Sequence, residues 1–250
     1  MNNMKKVILR VKRQNTPTSR PYWHAFEVVS KPGSNVISAL QEIRLNPITV
    51  DNKKVNPPVW ECNCLEEVCG ACSMLINGKP RQACSTLIDQ ISTPITLEPL
   101  SKFPVIRDLM VDRSSMFKNL IKVKGWIDID GSFDMGRGPK ISQENQNFMY
   151  SLSTCMTCGC CVESCPQVNK RNTYIGPSAL AQAVLFNSHP TGKMTKHKRV
   201  NAVMKNDGIA NCGNAQNCEK VCPKNIPIVT AISKLQRDVV VSGILGKLTE

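Results

Sequence analysis

Residues 155–166 read CMTCGCCVESCP, in which five cysteines precede a proline. Four of them form the pattern C-x2-C-x2-C-x3-C-P, a spacing that binds iron–sulfur clusters in bacterial proteins: Cys155, Cys158, Cys161 and Cys165, followed by Pro166. In this pattern the fourth cysteine is a ligand of a second cluster, not of the first. The stretch therefore predicts two neighbouring clusters, around which this part of the chain must fold.

The C-terminal cysteines supply the missing ligands. Cys212, Cys218 and Cys222 give C-x5-C-x3-C and a second C-P ending. A further bacterial-type 4Fe-4S site would need a cysteine at Ala215, which cannot bind iron, so the second cluster is predicted to be 3Fe-4S. The predicted ligands are Cys155, Cys158, Cys161 and Cys222 for the 4Fe-4S cluster, and Cys165, Cys212 and Cys218 for the 3Fe-4S cluster.

The N-terminal cysteines have a different spacing. Cys64, Cys69, Cys72 and Cys84 give C-x4-C-x2-C-x11-C, whose first three members match the plant-type spacing for a 2Fe-2S cluster. Gly70 lies inside this loop, where it allows the backbone to approach the metal closely. A structural zinc site is the alternative, but C-x4-C-x2-C is an unusual zinc spacing. The group therefore predicts a 2Fe-2S cluster.

Two cysteines remain outside these ligand sets. Cys62 precedes Cys64 by two positions, and its use in place of Cys64 would give an x6 spacing, so it is interpreted as a spectator thiol. Cys160 stands inside the second run where no ligand pattern requires a cysteine, and it is interpreted as packing around a cluster.

Composition favours metal-binding thiols over disulfides. The chain has 250 residues and 13 cysteines, an odd number, and its start MNNMKKVILRVKRQ is charged where a secretory signal would be apolar. A cytosolic, reducing environment is therefore expected. No run of roughly 18 apolar residues predicts a membrane span. The formal net charge of +13 suits an anionic surface or an acidic partner, whereas few aromatic residues and no basic-aromatic pattern argue against nucleic acid.

The first part of the chain predicts a small sheet crossed by one helix. Strands are expected at 7–13 and 24–30, where they would form a hairpin, and at 95–100. A helix is expected in NVISALQEIRLNP (35–47), with Asn35 as its N-cap. Asn77-Gly78 between apolar residues predicts a further hairpin.

The second part is predicted to be mainly helical, beginning after residue 105. Helical spacing of apolar residues covers 107–127, 177–188, 196–205 and 226–245. A loop rich in glycine (DGSFDMGRGPKIS, 130–142) is expected before another helix. The cysteine-free stretch between the first two cysteine groups is the expected place for a domain boundary.

These motifs together resemble the iron–sulfur subunit of succinate dehydrogenase and fumarate reductase, over nearly the whole chain. The matching stretches are WECNCLEEVCGACSMLINGKPRQAC (60–84), FPVIRDLMVDRSSMF (103–117), CMTCGCCVESCP (155–166), LFNSHPTGKM (185–194) and CGNAQNCEKVCP (212–223). They are most similar to the Gram-positive succinate:menaquinone type. The resemblance implies an α+β fold with a β-grasp 2Fe-2S ferredoxin-like domain over 1–105 and an all-α two-cluster ferredoxin-like domain over 106–250.

The resemblance also implies a place in an assembly. The subunit would lie at the cytoplasmic face of the cell membrane as a peripheral protein, between a flavoprotein that carries FAD and oxidises succinate and a membrane-anchor cytochrome b subunit with haem b and quinone. Electrons would pass from flavin through the 2Fe-2S, 4Fe-4S and 3Fe-4S clusters to haem or quinone. No catalytic residue is expected in this chain.

Two departures from the family pattern affect these expectations. Glu67 stands where the family commonly has glycine, and its charge is expected to lower the 2Fe-2S potential. Of the residues that line a quinone pocket in ubiquinone-using relatives, Pro166 matches, but Lys170 and Gly213 replace a tryptophan and a histidine. The hypothesis is therefore that menaquinone binds elsewhere, on an anchor with two haems.

Two alternatives remain open. The subunit could serve a quinol:fumarate reductase that runs the electron path in reverse, because the cysteines do not set direction. The chain could instead be a zinc-stabilised basic scaffold that binds nucleic acid or membrane. A basic run either faces anionic lipid or an anchor loop, or is a solvated helix surface: Lys193, Lys196, His197, Lys198, Arg199 and Lys205.

Overall fold

The computed structural model describes residues 5–128 and 140–248, and side chains up to residue 244. The strands are β1 (Lys5–Arg13), β2 (Tyr22–Ser30), β3 (Ser73–Ile76), β4 (Lys79–Gln82), β5 (Ile95–Glu98), β6 (Val105–Arg107) and β7 (Met110–Val111). The helices are α1 (Val36–Leu45), α2 (Ser114–Lys122), α3 (Gln143–Ser153), α4 (Cys160–Ser164), α5 (Pro177–Ser188), α6 (Lys196–Val203), α7 (Asn217–Lys220) and α8 (Ile228–Leu248). The fold class is α+β, as predicted.

Five strands form one mixed sheet in the order β2-β1-β5-β3-β4. The predicted β1–β2 hairpin is confirmed, with Lys5 opposite Ser30 and Arg13 opposite Tyr22. β5 pairs parallel to β1, so β1 lies between β2 and β5. Val7, Leu9 and Val11 all lie on the buried face of β1. They are every second residue, and successive side chains of a strand point to opposite faces.

Asn77-Gly78 forms the tight turn between β3 and β4, as its sequence predicts. Both residues have positive φ, 49° and 74°, which the primed two-residue turns require. The Asn77 carboxamide oxygen also accepts a hydrogen bond from the backbone N–H of Thr96 in β5 at 2.7 Å. The turn is therefore tied to the neighbouring strand, and β4 delivers the chain to Cys84.

Helix α1 begins at the predicted N-cap. The Asn35 side chain accepts from the Ser38 backbone N–H at 2.9 Å, while the Ser38 hydroxyl accepts from the Asn35 N–H at 3.1 Å. This reciprocal pair satisfies two of the free N–H groups at the helix start. Asn35 Nδ2 also donates to the Cys84 carbonyl at 2.9 Å, so the cap fixes the backbone of a predicted ligand.

The predicted helix over 107–127 is wrong in its first third and after residue 122. Strands β6 and β7 form a two-stranded hairpin in that first third, and α2 begins only at Ser114. The cause is Asp108, which is completely buried with φ 48° and accepts hydrogen bonds from Arg13 Nε, at 3.0 Å, and from the Val59 N–H, at 2.9 Å. These tertiary contacts outweigh a helical spacing of apolar residues.

The other predicted helices are confirmed, although the predicted loop at 130–142 lies mostly outside the described residues. α5 is buried along most of its length and packs against α8, α3 and α2. On α8 the apolar residues at helical spacing are buried at Ile228, Ala231, Ile232 and Leu235 and half-buried at Val239. α8 begins where Glu219 Oε2 accepts from the Val229 N–H at 2.8 Å.

The chain forms two compact units. The first comprises Met1–Arg113 with Met156–Glu163, and the second comprises Ser114–Cys155 with Ser164–Glu250. The short segment joins the first unit through Glu163, whose carboxylate accepts from the Ser101 hydroxyl at 2.5 Å and the Lys102 N–H at 3.0 Å. The division of the sequence into domains at 105/106 remains a prediction.

Candidate iron–sulfur centres

The loop that follows Cys64 surrounds its sulfur with backbone donors. The N–H groups of Glu66, Val68 and Cys69 donate to Cys64 Sγ at 3.4, 3.3 and 3.3 Å. These hydrogen bonds lower the pKa of Cys64 to about 6. They stabilise the thiolate, which is the form that binds metal. The loop fits a cluster ligand because its donors are directed inward before any metal is bound.

Left-handed backbone recurs in all three cysteine groups. The residues with positive φ are Leu65, Glu67 and Gly70 in the first group, Thr157 and Gly159 in the second, and Asn214 and Gln216 in the third. Most of them are not glycine, so they hold a backbone conformation that costs folding free energy. Turns of this kind form concave nests of N–H groups that bind anions, including iron–sulfur clusters.

Cys72 and Cys84 are held together at the end of the sheet. The Cys84 N–H donates to Cys72 Sγ at 3.5 Å, and both residues are buried. Cys72 comes directly before β3 and Cys84 lies just after β4, its paired strand. Between them, the Ala83 N–H donates to the Cys72 carbonyl at 3.2 Å. The structure thus brings the fourth predicted 2Fe-2S ligand to the third across twelve positions of sequence.

Gln82 links the first cysteine group to the second. Its side chain is 1% exposed and lies in β4. Nε2 donates to Ser73 Oγ at 2.7 Å and to Cys160 Sγ at 3.7 Å, while the Cys72 thiol donates to Oε1 at 3.4 Å. Cys160 is completely buried, so the interpretation of this cysteine as a packing residue agrees with the structure.

Gly70 meets the second cysteine group directly. A Cβ at this position would stand 2.8 Å from the Cβ of Cys158 and 2.9 Å from the Met156 carbonyl oxygen. Arg113 holds the same turn, donating from Nη1 to the Gly70 carbonyl at 2.5 Å and from Nη2 to Glu61 at 2.8 Å. The hydrogen bond from Cys160, with a smaller contribution from the Arg113 charge, lowers the pKa of Cys158 to about 7.

The three cysteines predicted for the 3Fe-4S cluster line one depression. Cys165, Cys212 and Cys218 line this depression in the second unit, together with Tyr174 and Ala215. Burial, and then the nearby Cys165 and Cys212 thiols, raise the pKa of Cys218 to about 11. The donor set is three thiols with an alanine at the fourth position, which fits a cluster that needs only three protein ligands.

The four residues predicted for the 4Fe-4S cluster belong to different units. Cys158 and Cys161 are buried in the first, with Cys161 in α4. Cys155 and Cys222 are half-buried in the second, where Cys155 follows α3 and Cys222 follows α7. The grouping of these four cysteines around one cluster remains a prediction.

Different surroundings are found at the other positions singled out in the sequence, namely the spectator thiol, the quinone-pocket positions and the glutamate of the first loop. Cys62 is exposed and makes none of the sulfur contacts described for Cys64. Pro166 and Gly213 line the depression of the three cysteines, whereas Lys170 is exposed outside it. Gly213 is covered by Gln167, whose Nε2 would lie 2.7 Å from a Cβ there. The Glu67 carboxylate accepts from the Ser85 hydroxyl at 2.6 Å.

The basic run is not one uniform surface. Arg199 is 1% exposed and donates to Asn187 Oδ1 at 2.7 Å, to the Trp126 carbonyl at 2.9 Å, and to the Gly192 carbonyl. Lys196 pairs with Asp238 at 2.6 Å and Lys198 with Asp128 at 2.7 Å. Arg199 is therefore part of the packing of the helices, and its interpretation as a surface charge is wrong.

Sequence reasoning missed three residues that contact the cysteine groups: Gln82, Arg113 and Tyr174. Each is polar, and the contacts of Gln82 with Cys160 and of Arg113 with Gly70 join residues 78 and 43 positions apart. The flanking sequence gives one partial signal, because Gln82 stands two positions before Cys84 on a strand next to the cluster loop. Arg113 and Tyr174 have no such signal.

Within 5–128 and 140–248, no three His, Cys, Asp or Glu side chains lie close enough to hold a single metal ion. Within the same ranges, no helix combines the length and apolar character needed to cross a membrane.

Comparisons with known proteins agree with this arrangement. Residues 8–118 match the family described as a 2Fe-2S iron-sulfur cluster binding domain, and residues 151–226 match the 4Fe-4S dicluster domain. The chain is 53% identical to the succinate dehydrogenase iron-sulfur subunit of Bacillus subtilis (strain 168), over 95% of this chain and 94% of that one. It is 29% identical to the fumarate reductase iron-sulfur subunit of Wolinella succinogenes, over 89% and 91%.

A solved structure has the same fold. A chain of the Mycobacterium smegmatis Sdh1 complex in the apo form superposes with a TM-score of 0.81, covering 94% of this chain and 96% of that one at 23% identity. The sheet with its cysteine loop, the helical second unit and the identity to B. subtilis over nearly the full length lead to one conclusion. The chain belongs to the iron–sulfur subunits of the succinate dehydrogenase and fumarate reductase family.

Proposed function

We propose that this chain is the electron-transfer subunit of a membrane-bound succinate:quinone oxidoreductase. When bound, iron–sulfur clusters accept and release single electrons. The chain's own residues bind these clusters and hold them at fixed positions. Succinate oxidation itself takes place on a partner.

Each cysteine group has a distinct role in this proposal. The ligands are Cys64, Cys69, Cys72 and Cys84 for the 2Fe-2S cluster, Cys155, Cys158, Cys161 and Cys222 for the 4Fe-4S cluster, and Cys165, Cys212 and Cys218 for the 3Fe-4S cluster. The inward N–H groups around Cys64 and the three-thiol depression with Ala215 support these assignments.

One contact within the first unit carries the proposal of an electron path. The backbone of Gly70, between two proposed 2Fe-2S ligands, packs against the side chain of Cys158, a proposed 4Fe-4S ligand. Gln82 adds hydrogen bonds to Cys72 on one side and Cys160 on the other. A continuous protein contact of this kind would hold the first two clusters at a fixed separation.

The proposed partners follow from the family. They are an FAD-containing flavoprotein, which removes two electrons from succinate, and a cytochrome b membrane anchor, which carries haem b and passes the electrons to quinone. The 53% identity to the B. subtilis subunit supports a Gram-positive type of complex with menaquinone, at the cytoplasmic face of the membrane. The coverage of Gly213 by Gln167 supports a quinone site away from Pro166.

Low-temperature EPR on the anaerobically purified complex tests this function. The oxidised complex is expected to show a 3Fe-4S signal, and succinate is expected to reduce it and to produce a 2Fe-2S signal. Iron, sulfide and zinc are measured on the same sample. One or two zinc ions per chain without any EPR signal would reject the electron-transfer function in favour of a zinc-stabilised basic scaffold.

The reverse direction, quinol:fumarate reduction, remains a second candidate because two fumarate reductase subunits are 29% and 28% identical to this chain. Steady-state rates of the complex in both directions with menaquinone analogues distinguish the two. Succinate oxidation is expected to be the faster direction when the acceptor is kept oxidised.

A further inference from the structure

Tyr174 is a buried polar residue that is not one of the proposed cluster ligands. Its side chain is 5% exposed, and its hydroxyl makes no hydrogen bond of good geometry among the residues that the structure describes, although the Cys212 thiol lies close to it. An unpaired buried hydroxyl costs folding free energy, because the water that it loses is not replaced. Such a group in a folded protein therefore calls for a specific explanation.

The chain on both sides holds Tyr174 in place. Its N–H donates to Asn172 Oδ1 at 2.9 Å. The next residue, Ile175, donates its N–H to the Asp207 carbonyl at 2.9 Å and accepts from Asn119 Nδ2 at 2.9 Å. Gly176 is then the N-cap of α5. The backbone cannot easily rotate to bring the hydroxyl to solvent.

The hydroxyl lies with the three cysteines of the depression. Tyr174 lines that depression together with Cys165, Cys212 and Cys218. The hydroxyl can gain a partner there by donating a hydrogen bond or by accepting one from another donor.

We propose that Tyr174 donates a hydrogen bond to a sulfur atom of the cluster held by Cys165, Cys212 and Cys218, and so raises its reduction potential. The inference rests on the proposed function. A donor to sulfur stabilises the reduced cluster more than the oxidised one, because the reduced cluster carries more negative charge. Tyr174 is a positioning and tuning residue, since it binds no iron itself. It makes the third cluster a better electron acceptor.

The test is a redox titration of the assembled complex with Tyr174→Phe, followed through the 3Fe-4S EPR signal. Loss of the donor is expected to raise the ratio of oxidised to reduced cluster about tenfold at a fixed ambient potential, which is a fall of about 59 mV for one electron. The 2Fe-2S titration is expected to stay unchanged. Tyr150→Phe is the matched control, because Tyr150 is 68% exposed in α3 of the same unit.

A second variant keeps the test decisive if Tyr174→Phe fails to assemble. Site-specific 3-fluorotyrosine at position 174 retains the ring and makes the phenol a stronger donor, so the 3Fe-4S potential is expected to rise. A residue with only a packing role would not shift the potential in opposite directions in the two variants. An unchanged 3Fe-4S potential in both variants, or an equal shift in Tyr150→Phe, would overturn the proposal.

EPR of the wild-type complex distinguishes a failure of the proposed function from a failure of the proposed role of Tyr174. A wild-type complex that contains iron and sulfide but gives no 3Fe-4S signal would reject the three-thiolate assignment, and with it the proposed role of Tyr174. A normal wild-type 3Fe-4S signal that neither Tyr174 variant shifts would reject the role of Tyr174 alone.

Discussion

The backbone of Gly70 lies so close to Cys158 that a single methyl group between them would be 2.8 Å from the Cys158 Cβ. The two residues are 88 positions apart; Gly70 lies between two proposed 2Fe-2S ligands, and Cys158 is a proposed 4Fe-4S ligand. Gly70 has φ +71°, so the turn that makes this approach is also one that favours glycine. The contact connects the geometry of one cluster loop to that of the next.

Gly70→Ala is expected to disturb this contact strongly. The new methyl group would overlap Cys158 and the Met156 carbonyl in addition to straining a left-handed residue, for a destabilisation of about 2–4 kcal/mol. The 2Fe-2S content per chain, measured by iron and sulfide analysis and by EPR, is expected to fall.

Gly78→Ala provides the matched control for that variant. Gly78 has φ +74° but no atom within 4 Å of its would-be Cβ, so it suffers the strain without the collision. We expect a loss of about 1 kcal/mol and normal cluster content. Equal loss of the 2Fe-2S signal in both variants would show that the approach to Cys158 has no special role.

Gln82→Leu tests the buried amide between the first two cysteine groups. The substitution keeps the volume but removes the hydrogen bonds to Ser73 and Cys160, so a destabilisation of about 1–3 kcal/mol is expected. The EPR line shape of the 2Fe-2S cluster is also expected to change, because Gln82 contacts Cys72. The exposed Gln90→Leu is the control, and similar effects of both substitutions on thermal unfolding would contradict the account.

Asp108→Asn tests the buried ion pair between Asp108 and Arg13, which stabilises the β6–β7 hairpin where the sequence predicted a helix. Asp108 and Arg13 are 0% and 1% exposed, so neutralising the carboxylate leaves a buried guanidinium uncompensated. A loss of about 3–5 kcal/mol is expected, which lowers the thermal unfolding midpoint by on the order of 10 °C. Glu27→Gln, in the exposed pair with Lys6, is expected to cost at most about 1 kcal/mol. Comparable losses would show that burial does not decide the effect.

His24 predicts a pH dependence of stability. Burial, followed by the charge of Arg13, lowers the pKa of His24 from its usual 6.5. The unfolded chain therefore binds a proton more readily than the folded chain, so stability is complete above about pH 6.5 and falls as the pH is lowered below it. His24→Gln is expected to flatten this slope, whereas the exposed His197→Gln is not. The same slope in both variants would contradict the assignment.

Local sequence signals predicted the parts of the fold that depend on near neighbours. The Asn35 cap, the Asn77-Gly78 turn and the apolar face of α8 are each encoded within a few residues, and the structure has all three. The β6–β7 hairpin could not be predicted in this way. It depends on Asp108 meeting Arg13, 95 positions earlier, and no local pattern reports that contact.

In the candidate site, too, local sequence signals predicted some features and missed those that depend on distant residues. Cysteine spacing predicted which thiols to group, and the structure brings Cys72 to Cys84 and Cys165 to Cys212 and Cys218. Spacing could not predict the left-handed residues between the cysteines, since Leu65 and Thr157 do not ordinarily favour that conformation. Nor could it predict Tyr174, whose place in the depression arises from tertiary packing.

The central claim is that separate cysteine groups hold separate clusters, and paired ligand substitutions test it most directly. EPR spectra of the assembled complex, oxidised and then reduced with dithionite, are compared for Cys84→Ser and Cys218→Ser. The account predicts that Cys84→Ser removes or alters only the 2Fe-2S signal and Cys218→Ser only the 3Fe-4S signal. Loss of the same single signal in both variants, with the complex still assembled, would contradict it.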